Sequence, residues 1–320
     1  MIKKIFLLVL IISTSFCFTF LEDSNYDISK LNKSEEKLIS KDYNSVINRK
    51  NLGYETYDYE ENPFKNWTVD DAKKQLGALN LHTNSDSILD GDLSELPEHF
   101  DWREQAPECV NDIRNQGSCG SCWAFALTNV LGDRFCIQTQ GKQKVLLSPQ
   151  DLVSCDTFNY GCNGGNIFIS WLYTTFYGVC SDECKEYVSS IGHNPPCERK
   201  CTNTKQRIEY KTYMNDYPKH FDTIASIKKE IMDNGPVESG YIVHKDFYYY
   251  KGGVYKYTWG DSVGGHAIKI IGWGVEKETN TDYWIIANSW GRQWGEDGYF
   301  RMALKGCNIE TNVHSANPKY

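Results

Sequence analysis

The apolar residues in the centre of the chain recur at helical spacing. Between residues 122 and 136 they fall at Trp123, Leu127, Leu131 and Phe135, with 3.6-residue periodicity. This pattern predicts an amphipathic helix with one face packed on a core.

Two more helices are predicted in the same half of the chain. Ser148 is a good N-cap residue, and Pro149 fits the first position of the helix that would follow. Residues 166–176 are the third candidate. The first half of the region after residue 95 is therefore predicted to be mainly helical.

The apolar runs that follow are typical of β-strands. One helix comes first, over residues 224–231, and Gly235-Pro236 ends it. The strand-like runs cover residues 237–243, 253–257, 266–273 and 283–289. A helical half followed by an antiparallel half predicts an α+β fold with a cleft where the halves meet.

The start of the chain has the pattern of a secretory signal peptide. Lys3 and Lys4 precede an apolar run over residues 5–12, and small polar residues follow. We assign residues 1–17 to this signal, which is too short to span a bilayer. No later stretch approaches about 18 apolar residues, so we expect no membrane attachment after cleavage.

Residues 18–95 differ in composition from the rest. They contain no Cys and are rich in polar and charged residues, with a short predicted helix over 68–79 and a polar linker over 83–94. Both glycosylation sequons, at Asn32 and Asn66, lie here. This composition fits either a disordered tail or a pro-segment that covers a folded domain.

Composition excludes some classes of protein. Hydrophobic residues make up 40% and charged residues 24% of the 320, as in globular proteins. The net charge of −8 gives no basic surface for nucleic acid. Of the 12 Cys, Cys17 is expected to leave with the signal, and the odd number that remains implies at least one unpaired thiol in an oxidising compartment.

The segment from residue 115 to residue 125, NQGSCGSCWAF, carries the most specific chemistry. Cys122 begins the predicted helix, where unpaired N–H groups and the positive dipole end favour thiolate over thiol. A thiolate is a nucleophile, and backbone N–H groups at that position can stabilise an oxyanion. The amide of Gln116 is a suitable second donor.

Three other interpretations of Cys119 and Cys122 remain open at this point. They resemble the cysteines of a thioredoxin-like redox motif, although the βαβ pattern is missing. They are candidates for half of a zinc site together with Cys197 and Cys201. Both are also candidates for structural disulfides.

Among the seven His, His266 is the best candidate for the base. It follows Gly264-Gly265 and opens a predicted strand, at the position of a cleft residue. Asn288 ends the next strand, and across a hairpin it would accept a hydrogen bond from the ring. Trp290 and Trp294 would shield the pair from water.

These motifs together resemble the papain family of cysteine proteases. Cys119-Gly-Ser-Cys122-Trp matches that family's sequence around the nucleophile, with His expected about 130–150 residues downstream. His266 lies in that range and Asn288 slightly beyond it. Further matches in the same order are Gly161-Cys-Asn-Gly-Gly165 and Asn288-Ser-Trp-Gly291.

The resemblance implies a two-domain fold and a set of roles. It implies a helical left domain, an antiparallel β-barrel-like right domain and an active-site cleft between them. Cys122 and His266 would form a thiolate–imidazolium pair, oriented by Asn288, with Gln116 in the oxyanion hole. The implied substrate-binding residues are Gly164, Gly165, Gly265, Trp294 and Asn312.

Within that family the chain looks like cathepsin B. Asn234-Gly-Pro-Val-Glu238 and Cys307-Asn-Ile-Glu310 carry this likeness. By resemblance, residues 18–95 form a pro-segment that blocks the cleft as the enzyme's own inhibitor. The mature enzyme would then be residues 96–320, mainly helical to about residue 215, and we expect it to be monomeric. No metal or organic cofactor is needed for this chemistry.

Two departures from cathepsin B change the expected activity. The interval between Cys184 and Cys197, where cathepsin B has an occluding loop, is short and has His193 as its only His. We therefore expect an endopeptidase with weak or absent dipeptidyl carboxypeptidase activity. Alignment also places Asn312 at the base of the S2 pocket in place of a Glu, so apolar or aromatic P2 residues are expected rather than Arg.

The resemblance also implies four disulfides, namely Cys109–Cys136, Cys119–Cys162, Cys155–Cys197 and Cys184–Cys201. Whether Cys180 and Cys307 pair stays open. The destination is the secretory pathway, either a lysosome or vacuole or the exterior. Two rival functions are a catalytically silent secreted homologue that keeps the fold and a disulfide-rich structural or lectin-like protein.

Overall fold

A helical half and a strand-rich half follow each other along the chain in the predicted order. The structure, a computed structural model, describes residues 36–43, 52–83, 89–202 and 210–320. The predicted signal peptide over residues 1–17 and the sequon at Asn32 lie outside these ranges. Asn66 is described and its side chain is exposed.

The helices begin and end where local sequence signals place them. Ser148 and Asn166 cap their helices by accepting hydrogen bonds from the Asp151 and Ile169 amides. No helix in the described part of the chain is both long and apolar enough to cross a membrane. The helices are α1 (Val69–Gln75), α2 (Trp102–Gln105), α3 (Cys122–Gln138), α4 (Pro149–Cys155), α5 (Ile167–Phe176) and α6 (Ile224–Asn234).

Helix α3 is buried all round, so the prediction of an amphipathic helix is wrong there. Its first 15 residues, including Thr128 and Asn129, are all buried. The physical reason is position: one side packs on α4 and α5 and another side on the strands of the second half. The apolar stripe therefore marks only part of the surface that the helix buries.

The strands form one open nine-stranded sheet and one two-stranded sheet. In the large sheet the order is β1-β6-β9-β8-β7-β5-β10-β4, and β2 pairs with β7. The described strands do not close into a barrel, and β6 and β9 are parallel, unlike the expected all-antiparallel arrangement. The strands are β1 (Tyr54–Thr56), β2 (Phe100–Asp101), β3 (Met214–Asn215), β4 (Lys219–Phe221), β5 (Val237–His244), β6 (Tyr250–Tyr255), β7 (Ser262–Glu276), β8 (Thr281–Ala287), β9 (Tyr299–Ala303), β10 (Val313–Ser315) and β11 (Pro318–Lys319).

The described residues before Leu96, called here the N-terminal segment, pack on the strand-rich half. Leu38, Ile39 and Phe64 are buried in its core. The Phe64 ring lies edge-on to Tyr248 and Trp290, at centroid distances of 5.1 and 5.4 Å. A disordered tail is therefore the wrong interpretation for this part of the chain.

Helix α1 is shorter than predicted and ends where the chain enters the cleft. Thr68 and Asp71 form a capping box at its start. After Gln75 the backbone becomes extended. The reason is that the Ala78 and Leu79 amides bond to the cleft instead of to the preceding turn.

The four disulfides expected from the resemblance are present: Cys109–Cys136, Cys119–Cys162, Cys155–Cys197 and Cys184–Cys201. The structure does not join Cys180 to Cys307. All four bridges lie in the helical half and the loops that follow it, where they would contribute about 2–4 kcal/mol each.

Buried ion pairs join the two halves of the molecule. Lys269 of β7 donates to Asp133 of α3 at 2.5 Å, and both side chains are at most 2% exposed. The next residue of α3, Arg134, pairs with Glu230 of α6 at 2.9 Å and also donates to the Pro236 carbonyl. Since α3 also carries Cys122, these contacts fix its position against the strands.

We expect Asp133→Ala to lower the free energy of unfolding by about 3–5 kcal/mol, because it leaves the buried Lys269 ammonium without its partner. Urea unfolding of a Cys122→Ala precursor measures this. Replacing both partners, as Asp133→Leu with Lys269→Met, should recover most of the loss. Lys229→Ala, which breaks an exposed pair with Asp233, is the control and should cost under about 0.5 kcal/mol. An Asp133→Ala loss no larger than this control would contradict the prediction.

Candidate active site

Cys122 is the first residue of α3, and it is fully buried. The N-cap residue Ser121 makes no capping hydrogen bond with its side chain; its hydroxyl instead lies 2.8 Å from the Tyr187 hydroxyl. The sulfur therefore lies at a helix N-terminus whose N–H groups no side-chain cap occupies.

The disulfides decide between the interpretations left open for the cysteines. Cys119 is bonded to Cys162, so it is not the redox partner of Cys122. Cys197 and Cys201 are bonded to Cys155 and Cys184, which excludes them as zinc thiolates. No cluster of three or more His, Cys, Asp or Glu in the described ranges is arranged to hold a metal ion.

His266 and Asn288 form the predicted pair. His266 lies in β7 and Asn288 directly follows the adjacent antiparallel strand β8. His266 Nε2 lies 2.8 Å from Asn288 Oδ1. Because an amide oxygen only accepts, Nε2 carries the hydrogen and Nδ1 is the basic atom.

The ring of His266 is enclosed by aromatic side chains. The Trp290 ring lies 4.9 Å away and the Tyr241 ring 5.8 Å away, between centroids. Trp294 packs against the far side of the cluster at 5.0 Å from Trp290 and is 1% exposed. Trp294 thus supports Trp290 from behind, and its contact with substrate stays a prediction.

The two halves bring Cys122 and His266 together. The backbone N–H of Ala267, the residue after His266, is directed at the Cys122 sulfur, as are those of Gly77 and Trp123. His266 Nδ1 is buried and has no hydrogen-bond partner in the described residues. An acceptor nitrogen and a thiol therefore lie in the same water-excluded space.

Gln116 is held by three hydrogen bonds with its carboxamide directed into the cleft. Oε1 accepts from the Ser289 hydroxyl at 2.7 Å. Nε2 donates to the Cys119 carbonyl at 2.7 Å and to the Gln75 carbonyl at 2.8 Å. One amide hydrogen thus fixes the loop, and the other binds a peptide carbonyl that comes from elsewhere in the chain.

The N-terminal segment runs through the cleft as an extended peptide. The Leu79 amide donates to the Gly165 carbonyl at 2.9 Å, and the Gly165 amide donates to the Gly77 carbonyl at 2.8 Å. The Ala78 amide donates to the Gly265 carbonyl at 3.0 Å. Two glycines predicted to bind substrate therefore bind this peptide backbone.

Two further predicted residues border the same peptide. A Cβ at Gly164 would lie 2.8 Å from the Gly77 carbonyl oxygen, so only Gly leaves room there. Asn312 Oδ1 accepts from the His82 amide at 2.8 Å, and Asn312 Nδ2 donates to the His82 carbonyl at 3.0 Å. Gln116, Gly164, Gly165, Gly265 and Asn312 thus all border this segment.

Burial sets the protonation of both central groups. It raises the pKa of the Cys122 thiol to about 11, and the three backbone N–H groups oppose this shift. It lowers the pKa of His266 to about 4, and the hydrogen bond to Asn288 opposes that shift. With the segment in place, Cys122 is therefore a neutral thiol and His266 a neutral imidazole across the physiological pH range.

Sequence reasoning missed Tyr187, Ser289 and Gly77. The Tyr187 hydroxyl donates to the Gln116 carbonyl at 2.8 Å and so braces the loop before Cys122. Gly77 passes so close to Gly120 that a Cβ on it would lie 1.9 Å from the Gly120 oxygen. For Ser289 the sequence offers one signal, its position directly after Asn288. For Tyr187 and Gly77 it offers none, because only the fold brings these two residues to the cleft.

Comparison with known proteins agrees with this geometry. The model of the papain family of cysteine proteases matches residues 96–317. A cathepsin B-like protein of Giardia intestinalis, CP2, is 40% identical over 227 residues, which cover 70% of this chain and 75% of that protein. Cathepsin B-like cysteine proteinase 4 of Caenorhabditis elegans is 37% identical over 298 residues, 80% of this chain and 87% of the other.

A solved structure shows the same fold with its N-terminal segment retained. The structure of procathepsin B S9 from Trypanosoma congolense superimposes with a TM-score of 0.77 at 31% identity. The match covers 89% of this chain and all of that one.

Proposed function

The chain belongs to the papain family of cysteine proteases, and from this premise we propose that it is the precursor of a cysteine endopeptidase that cuts proteins and peptides. One observation carries the proposal. A peptide backbone already crosses the cleft over Cys122, and one of its carbonyl groups accepts a hydrogen bond from Gln116. The cleft therefore binds the chemical group that peptidases act on.

The proposed reaction is acyl transfer through Cys122. The thiolate attacks the peptide carbonyl carbon, and Gln116 Nε2 and the Cys122 N–H stabilise the oxyanion. His266 gives its proton to the leaving amine as the C–N bond breaks. It then takes a proton from water, which attacks the acyl-enzyme, releases the carboxylate product and restores the thiolate.

Asn288 and Gln116 act in this scheme through fixed orientation. Asn288 holds Nε2–H of His266, so that Nδ1 is the atom that exchanges protons with sulfur and substrate. Ser289 holds the Gln116 carboxamide so that the oxyanion donor needs no reorganisation.

The proposed maturation removes residues 18–95 after the signal peptide over residues 1–17 has been cleaved. The contacts of the N-terminal segment with Cys122, Gln116 and Gly165 support an inhibitory role for it. Residues 89–95 and 97–99 are exposed, which suits proteolysis close to Leu96. Four disulfides fit an oxidising secretory compartment, lysosomal, vacuolar or extracellular.

Endopeptidase action, with weak or absent dipeptidyl carboxypeptidase activity, is proposed because of the short interval between Cys184 and Cys197. Part of it, around Ser190, folds back onto the loop before Cys122, where the Ser118 amide donates to the Ser190 carbonyl at 2.7 Å. His193 is exposed and is the only imidazole in that interval. A paired-histidine site for a substrate C-terminus is therefore not expected.

Apolar side chains are proposed as the preferred P2 residues. The Leu81 side chain of the N-terminal segment packs directly on Gly240 and next to Ile167. A Cβ added to Gly240 would lie only 2.5 Å from the Leu81 side chain. The pocket around Leu81 is therefore apolar. Asn312 at its end has no charge to pair with Arg.

The test compares processed wild type with Cys122→Ser on a mixed peptide library at about pH 5.5, with mass spectrometry of the products. We expect internal cuts that the variant does not make, mostly two residues after an apolar or aromatic side chain. Stepwise loss of C-terminal dipeptides would refute the endopeptidase proposal. No cuts by folded, processed wild type would support a catalytically silent homologue instead.

A further inference from the structure

A cavity of about 560 Å³ lies beside the N-terminal segment at the end of the pocket that holds Leu81. Three histidines line it: His82 of the N-terminal segment, His220 of β4 and His314 of β10. Asn312 lines it as well. Two of these imidazoles and Asn312 belong to the part of the chain that would remain after processing.

Hydrogen-bond donors in this cavity converge on one oxygen atom. The His82 carbonyl accepts from Asn312 Nδ2 at 3.0 Å and lies 2.6 Å from the Thr311 hydroxyl. That hydroxyl has a second acceptor in the Asn308 carbonyl at 2.8 Å, so Asn312 is the firmer donor. Removal of the N-terminal segment would leave these donors facing the pocket without their oxygen.

The two remaining imidazoles lie next to these donors. The rings of His220 and His314 are 4.9 Å apart, and His314 Nδ1 lies 3.2 Å from the Asn312 carbonyl. Because a carbonyl only accepts, Nδ1 carries the hydrogen in neutral His314, and Nε2 is the atom that takes up a proton in acid.

Few charged groups face these rings. Strand β5 presents Glu238 opposite His314, and burial raises the pKa of that carboxyl well above its ordinary value, which disfavours its charged form. Helix α5 presents the Phe168 ring, 5.6 Å from His314. Lys219 of β4 and Asp222, which directly follows β4, lie on either side of His220 and Phe221 and are exposed.

Burial, then His220, and also His82 lower the pKa of His314 to about 4 in the precursor, and its hydrogen bond to the Asn312 carbonyl opposes this shift. Release of the N-terminal segment takes away His82 and part of the burial. A carboxylate in the pocket would favour the protonated ring further. Both changes raise the pKa of His314, so its ring becomes protonated at a higher pH than in the precursor.

We propose that His220, His314 and Asn312 form an anion-binding end of the substrate pocket, which in acid accepts the side-chain carboxylate of a P2 glutamate. This inference rests on the proposed function, in which Asn312 lies at the base of that pocket. The aliphatic part of glutamate occupies the apolar space that Leu81 fills in the precursor. Its carboxylate takes the place of the His82 carbonyl oxygen and meets one or two imidazolium groups.

The experiment measures kcat/KM of the processed enzyme on two peptides that differ only in having Glu or Gln at P2, between pH 7.0 and 5.0. The ratio cancels the pH dependence of Cys122 and His266, since both peptides use them equally. We expect the Glu/Gln ratio to rise about tenfold as the pH falls. Glutamate itself loses some charge over this range, which acts against the rise.

Variants assign the effect to the two histidines. His220→Gln and His314→Gln should each reduce the rise, and the double variant should leave the ratio flat. His99→Gln, at an exposed His paired with Glu104, is the matched control and should keep the wild-type rise. His220 is exposed, so its substitution is not expected to disturb folding.

Two outcomes would overturn the inference: a ratio in wild type that does not change with pH, or a rise that persists in the double variant. The first outcome is measured on the wild-type enzyme alone, so this test does not depend on how the variants fold. Failure of the proposed function looks different, because then a third peptide with Phe at P2 would not be cut either.

Discussion

Iodoacetamide at pH 6 is expected to alkylate Cys122 at least about 1,000-fold more slowly in the intact precursor than in the enzyme freed of the residues before Leu96. In the precursor, burial raises the pKa of this thiol to about 11, so about one sulfur in 10⁵ is ionised at that pH. Only the thiolate reacts, and the N-terminal segment also covers it.

The pH dependence of the alkylation rate separates two effects of the N-terminal segment: suppression of Cys122 ionisation and steric cover of the sulfur. In the precursor the rate should rise about tenfold per pH unit up to about pH 11, because the thiolate fraction does. In the processed enzyme, water returns to Cys122 and His266 and the burial that holds both groups neutral is lost. Its rate should therefore be nearly flat around neutral pH, as for an ion pair.

Peptide mapping by mass spectrometry assigns the label to Cys122 rather than to Cys180 or Cys307. Cys180 is buried in the helical half and serves as an internal control, since processing should leave its labelling unchanged. Equal rates for Cys122 before and after processing would show that the segment does not suppress the thiolate.

Gly77→Ala in the precursor is expected to raise this alkylation rate about 100-fold. A Cβ at residue 77 would lie 1.9 Å from the Gly120 oxygen and 2.5 Å from its carbonyl carbon. Both atoms are backbone of the loop that precedes Cys122, so they cannot turn away as a side chain would. The N-terminal segment must lift from the cleft instead, at a cost of about 3 kcal/mol.

Lys74→Ala is the control for this experiment, because Lys74 lies on the same segment with its side chain exposed. It should leave the alkylation rate close to that of the wild-type precursor. Thermal unfolding of both variants shows whether the rest of the molecule stays folded. A Gly77→Ala precursor as unreactive as wild type would mean that the loop moves and the segment stays.

The sequence predicts the catalytic residues of this site better than it predicts how the N-terminal segment covers them. Cys122 and Asn288 are recognisable because one begins α3 and the other directly follows β8, and His266 is recognisable because Gly264-Gly265 precedes it, although it lies inside β7 and not at its start. The contact of Gly77 with Gly120 has no such signal, since it depends on how two distant segments meet. The same holds for Tyr187, which reaches Gln116 only through the fold.

The errors in the fold have the same origin. The stripe at Trp123 and Leu127 predicts one buried face, but α3 lies between two layers and is buried on every side. The predicted helix over residues 68–79 continues too far, because the pattern does not show that its last residues bind Gly165 and Gly265. Local propensity thus places the elements, and tertiary contacts decide where they end.

The exposed stretch before Leu96 tethers the N-terminal segment to the enzyme, so the strength of inhibition depends on the segment's effective concentration at the cleft. While the chain is intact, the N-terminal segment is tethered beside the cleft at an effective concentration on the order of millimolar, as for short flexible linkers. One cut there makes the same contacts bimolecular without changing any of them. The activity of a freshly cut enzyme then depends on dilution and on destruction of the released peptide, so a concentrated compartment would delay activation and release into a larger volume would advance it.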